Sequence, residues 1–320
     1  MTPPAIRPAA ESALAWVEAH REDFALDTGA LHGGDVNRTW KPLGELAQVC
    51  VCVRRHTAAG DPLHRAASAL LEHAWRQTRD GALFEELLRL EPFATYPLEV
   101  YAAFAAEGMR HQGFERLART LLATRCWQVT EQEPNRRLGI LNSERRSGFS
   151  PHAPSAPALR RTWLGGLPEP WTFERGAGYT LTHVVFHLTD WGRTPHTVPE
   201  DVARYLDLWL WPWLDGCLED EQWDLACELL AVAASLPRPP GPGLLRQAWP
   251  LLAAAQDPEG GLPEVGAGLA GRTVRRDFTT CYHSTLMVVL AAALTLHRVE
   301  RRTGPPAAAA PRAGSRGEVT

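Results

Sequence analysis

Apolar residues return every three to four positions along nearly the whole chain, and that spacing restricts the fold to stacked helices. The one strand-like alternation is "VCVCV" (residues 49–53). It sits inside "LGELAQVCVCVRRHTAAGD", which reads equally as a buried helix ending at Gly60. The spacing predicts about a dozen helices. They cover 9–20, 42–56, 62–78, 83–90, 97–109, 113–124, 135–144, 157–163, 180–191, 199–214, 219–235, 243–255 and 279–301. Several open on N-terminal signals: Pro62 after Asp61, Pro199 before Glu200 and Asp201, and Thr279 and Thr280 after Asp277. "PRPPGPG", "DPEGG" and "GLPEPW" break the pattern, because their prolines and glycines cannot extend a helix. Helix pairs recur every 40–50 residues or so, which suits helical hairpins closed into a ring or stacked as an open solenoid.

A hydrophobic content of 45% is enough for a real core, and a net charge of −4 offers no basic surface for nucleic acid. Lys41 is the only lysine among many arginines, alanines and prolines, a GC-rich coding bias that suggests an actinobacterial source. No secretion signal is read at the start, and no apolar run reaches the ~18 residues of a membrane span. The nearest, "STLMVVLAAALTLH", reads as too short. The six cysteines form no CxxC pair and are expected as reduced thiols in the cytoplasm. Residues 303–320 carry no large apolar residue except Val319 and are expected to be a disordered tail after one domain of residues 1–302.

Two constellations could carry chemistry. In "YTLTHVVFHLTDWG", His183, His187 and Asp190 stand at i, i+4 and i+7, on one helical stripe among apolar neighbours. Such a stripe serves as an acid–base pair with Asp190 orienting an imidazole, as metal ligands, or as hydrogen-bonded core histidines. In "RRDFTTCYHS", Asp277 caps a helix whose first turns hold Cys281 and His283. A cysteine there is expected to have a lowered pKa through the helix dipole, making it a nucleophile or ligand, with a core thiol as the alternative. On a regular helix Cys281 and His283 face ~200° apart. If a ring closes, His183, His187 and His283 are expected to share one hollow.

Other stretches read mainly as structure. "LHGGDVNRTWKPLGE" places His32, Asp35, Asn37 and Arg38 in a surface loop, with a mouth cap or anion site at Arg38 as the alternative. "EPNRRLGILNSERRSG" reads as a solvated, ion-paired helix face, although its guanidinium forks suit carboxylate or phosphate. "LDLWLWPWLDG" clusters Trp209, Trp211 and Trp213, for core, partner face or cation–π duty. Walker, Rossmann, HExxH, GxSxG, DDxxD and DxDD signatures are absent, so squalene-type cyclisation is not expected.

"AAAQDPEGGLPE" resembles the glutamine-and-glycine turn of terpenoid cyclase and protein prenyltransferase toroids through Gln256, Asp257, Gly260 and Gly261, with Leu262 replacing the usual aromatic. "YTLTHVVFHLTDWG" and "DFTTCYHSTLMVVLAAAL" are similar to an uncharacterised actinobacterial family found in natural-product gene clusters. The resemblance covers most of residues 10–300. It implies an all-α α/α toroid, two layers of helices around a central cavity. Prenyltransferase zinc is held by an Asp, a Cys two residues on and a distant His. Here Asp277 and Cys281 are four apart, so that ligand set is not carried over.

The expected function is a small-molecule enzyme of actinobacterial secondary metabolism. Its cavity, lined by His183, His187, Asp190, Cys281 and His283, would perform acid–base chemistry such as intramolecular cyclisation, elimination or hydrolysis. His183 and His187 would serve as base and acid, with no cofactor. The alternatives are a helical scaffold that binds a ligand or protein partner without chemistry, and a zinc-binding prenyltransferase-like protein. No nucleic acid or membrane partner is expected.

Overall fold

The computed structural model describes residues 3–26, 35–270 and 276–303, and every regular element among them is a helix. The α-helices are α1 Ile6–Ala19, α2 Trp40–His56, α3 Pro62–Gln77, α4 Ala82–Leu90, α5 Tyr96–Ala105, α6 Gln112–Leu122, α7 Arg125–Val129 and α8 Pro134–Arg146. They continue with α9 Ser155–Leu159, α10 Arg175–Thr189, α11 Glu200–Glu219, α12 Trp223–Ser235, α13 Pro242–Ala255, α14 Ala267–Ala270 and α15 Phe278–Thr303. His32 and the expected tail over 304–320 lie outside the described residues, and of Thr303 only its place in α15 is described.

Local chemistry sets the boundaries. Asp61 caps α3, its Oδ1 accepting from the Leu63 amide at 3.0 Å with Pro62 in the first turn. Residues 49–53 are buried on every side within α2, so their alternation carries no strand signal. The helix expected over 157–163 is replaced by the short α9 and a 3-10 turn at Leu164–Gly166. Helix α11 runs on through Pro212, which is exposed; the carbonyl its ring leaves unbonded belongs to Leu208, itself 69% exposed.

Six helices make the centre. Helix α2 lies against α5, α5 against α8, α8 against α10, α10 against α12, α12 against α15, and α15 against α2. Helices α1, α3, α4, α9 and α11 each pack against one of these six, and α13 packs against α1 and α11. Early residues meet early residues. A Cβ on Gly44 would lie 2.8 Å from Val100, Arg136 reaches Glu99 at 2.8 Å, Tyr179 donates to Asp224, and His283 bridges Glu45 and Glu228. At the far end, Arg146 meets Asp190 at 3.3 Å. The six therefore run in one direction.

Being central on all sides explains composition. Every residue of α12 is buried, and Phe278–Arg301 of α15 reaches a mean hydropathy of 1.4 with 83% of that window buried. That stretch has a membrane span's length and hydropathy, unlike the shorter run read from sequence, but its apolar surface is spent inside the protein. The "QDPEGG" turn ties α13 to α1: Gln256 donates to the Ala9 carbonyl at 3.1 Å and the Gly260 carbonyl at 3.0 Å. Gly260 has φ +100, and a Cβ there would sit 2.1 Å from the Ser12 carbonyl oxygen, so only glycine fits.

Candidate functional site

A cavity of about 770 Å³ opens among α2, α5, α8 and α10, bordered also by the segments before α8 and after α9. Trp40, Tyr96, Arg136 and Thr180 come from early helical turns and stand near the mouth. Asn142, Arg146 and His187 from later turns, Gln48 from the middle of α2 and Trp191 just after α10 form the floor.

Between them lies a layer of titratable groups, most on an otherwise apolar stretch: Glu45 on α2, Glu99 on α5, His183 on α10, Glu228 on α12 and His283 on α15. Glu45, Glu99 and His183 border the cavity directly. His183 is exposed to it, and neither ring nitrogen has a hydrogen-bond partner among the described residues. Burial raises the Glu99 pKa despite the Arg136 guanidinium and the charge of His183. Of Glu45 and Glu99, burial therefore moves Glu99 toward the protonated form.

His283 lies behind Glu45. Its Nδ1 is 3.0 Å from Glu45 Oε2 and its Nε2 is 3.2 Å from Glu228 Oε1, while Glu228 also accepts from the Thr182 hydroxyl. Burial alone would disfavour the imidazolium, but two flanking carboxylates overcome it and hold the His283 pKa well above the ordinary value. Burial would likewise raise both acids, yet Glu45 and Glu228 end below the usual carboxylate range through His283, helped at Glu45 by Lys41 and at Glu228 by His183. The result is a cation between two anions, one of which faces the cavity.

His187 is different. Burial, then the charges of His183, Arg136 and Arg146, push its pKa down to about 3, so it stays neutral. It fits only because α8 has no side chain at Gly139: a Cβ there would lie 3.0 Å from His187 Nε2. The expectation that His187 works as the acid gives way to that neutrality. Asp190 does not orient either histidine. It ends α10 with φ 49, and its carboxylate meets Arg146 at 3.3 Å, Arg193 at 3.2 Å and Arg55 at 3.8 Å. Trp191 follows with φ 55, and its indole stacks on Phe186 at 4.8 Å to close the floor. Two adjacent non-glycine residues with positive φ are strained backbone, which the guanidiniums and the stack hold in place.

Cys281 lies outside the cavity lining and is 1% exposed. Its pKa is raised, not lowered, because desolvation of the thiolate outweighs the favourable hydrogen bond from Thr280. Helix α15 is regular from Phe278, so Cys281 and His283 diverge as ideal geometry requires. Among the described residues, no three His, Cys, Asp or Glu side chains gather as metal ligands. Of the loop candidates, Asn37 borders the mouth, while Asp35 accepts from the Asn37 amide at 2.9 Å and lies 3.7 Å from Arg38. Trp213 packs between Trp163 and Phe173, and Trp211 borders a separate groove beside α13.

Sequence reasoning missed Glu45, Glu99 and Glu228; of the α8 arginines, Arg136 and Arg145 are exposed as expected, Arg136 paired with Glu99 at 2.8 Å, while the Arg146 side chain is buried. The available signal was a lone acid within an apolar helix, as in "YPLEVYAAFA" and "LACELLAVAAS".

Residues 10–293 match the family described as Domain of unknown function (DUF6895), and the chain belongs to that family. No curated protein and no solved structure matches it.

Proposed function

We propose that this member of the DUF6895 family is an enzyme that moves protons on a small organic substrate inside the cavity among α2, α5, α8 and α10. The observation that carries the reading is His183: an imidazole exposed to the cavity, with neither ring nitrogen hydrogen-bonded among the described residues, near a carboxyl whose pKa burial has raised. His183 takes or gives the proton at the reacting atom, and Glu99 is the second proton carrier. Glu45, kept anionic by His283, offers a fixed negative charge to any positive charge that develops. Intramolecular cyclisation, elimination and hydrolysis all fall within this reach.

The fold we infer is an α/α toroid. The order of neighbours from α2 through α5, α8, α10, α12 and α15 back to α2, with α1, α3, α4, α9 and α11 each against one of the six, supports it. The arginine-rich, nearly lysine-free composition supports an actinobacterial setting, and secondary metabolism is the setting we infer for the reaction.

The test is incubation of the purified protein with small-metabolite extracts, followed by untargeted mass spectrometry. Wild type should consume at least one compound and form a product related to it by a proton-transfer reaction. His183→Gln should slow this by about 100-fold or more, as loss of a general acid–base does. A compound that is retained but never altered would replace the enzyme with a binding scaffold.

A further inference from the structure

The cavity floor has chemistry that proton transfer does not use. Arg146 is the last residue of α8 and its side chain is only 5% exposed. One terminal nitrogen donates to Gln48 Oε1 and Nε lies 3.3 Å from Asp190, but Nη2 is buried without a hydrogen-bond partner. A guanidinium donor buried and unsatisfied is costly, and native proteins retain one where something else fills the role. Asn142, one turn earlier on the same face, is 2% exposed; its carbonyl accepts from Arg145 at 3.4 Å, and its amide nitrogen has no partner among the described residues. His187 hangs over Gly139 on that stripe, neutral, with no hydrogen bond at either ring nitrogen among the described residues. Three side chains with unused donors thus border one end of the cavity.

We propose that the cavity floor is a subsite for the carboxylate of the substrate, held by the Arg146 guanidinium, the Asn142 amide and the His187 ring N–H. This deepens the proton-transfer reading and rests on it for the word substrate: the carboxylate anchors at the floor and places the reacting carbon at the layer of His183 and Glu99. The donor geometry favours a carboxylate over a phosphate: the free Arg146 Nη2, the Asn142 amide and a His187 ring N–H suit a planar, two-oxygen acceptor, while Asp190 already takes up Arg146 Nε. Trp191 and the cavity volume leave space for an apolar body above it.

The experiment reads binding alone, so it stands apart from turnover. Octanoate and 3-phenylpropanoate, and their primary amides, are titrated into wild type and followed by tryptophan fluorescence. Wild type should bind at least one carboxylate with a Kd near or below about 1 mM and its amide at least about tenfold more weakly. Asn142→Leu should weaken the acid several-fold and leave the amide unchanged. Arg146→Lys, which keeps a cation for Asp190, should lose most of the acid-over-amide preference, with its helical content checked by circular dichroism. Equal affinity for acid and amide, no saturable binding by wild type, or an acid preference unmoved in both variants overturns the subsite. So does displacement of the acid by inorganic phosphate at lower concentration than by acetate. If the preferences hold while no metabolite is ever altered, the subsite stands and the catalytic reading fails.

Discussion

His183 and His187 are a turn apart on α10, their rings 6.2 Å between centroids, yet their surroundings give them separate roles. His187 stays neutral because a second positive charge beside Arg136 and Arg146 in a desolvated site is too costly. Its folded pKa of about 3 lies below the unfolded value of about 6.5, so its contribution to stability is full above pH 6.5 and is lost as pH falls toward 3. One such proton changes stability by up to about 1.4 kcal/mol per pH unit. Urea titrations across this range should show a shallower acid loss for His187→Gln than for wild type, by about one proton's worth of slope. Identical slopes would mean that His187 takes up its proton as freely folded as unfolded. The sequence placed both histidines on one stripe, since periodicity alone fixes that. It could not separate them, because the difference comes from Gly139 and two arginines on α8.

At the scale of elements, Glu45, His283 and Glu228 clasp α2, α15 and α12 at one level. His283 is charged in the fold with a raised pKa. Its contribution is therefore full below the unfolded value near 6.5 and is lost as pH rises through the folded one, while the two carboxylates add stability that is lost as acid titrates them. Removing the cation leaves two buried anions facing each other. His283→Ala should cost about 3–5 kcal/mol in denaturant unfolding, and Glu228→Gln added to it should recover part of that. A cost under about 1 kcal/mol would show that the clasp holds nothing. The helices themselves were legible from apolar spacing, and the break at "QDPEGG" from its residues. The clasp was not, because its members are 183 and 55 residues from one another along the chain. Helix α8 misled in a physical way: "NRRLGILNSERR" looks amphipathic and solvated, and Arg136 is indeed exposed at the cavity edge, but the helix lies between α5 and α10, so the Arg146 side chain is buried.

For the whole molecule, the cavity lies among α2, α5, α8 and α10, with early-turn residues such as Tyr96 and Arg136 toward one end and late-turn residues such as Arg146 and His187 toward the other. In the function we propose, that layering gives a carboxylate anchor at one end and proton carriers midway. It also explains why no local signature appears: the lining comes mainly from four helices far apart in the sequence, and only their packing brings those side chains together. The most direct measurement is a crystal structure of His183→Gln after incubation with the metabolite that wild type consumes. The account predicts electron density inside the cavity, with a carboxylate on Arg146 and Asn142 and the reacting atom within hydrogen-bond reach of residue 183, about 3 Å. Density in the groove beside α13, or a ligand in the cavity turned so that no reacting atom approaches residue 183 or Glu99, would contradict it.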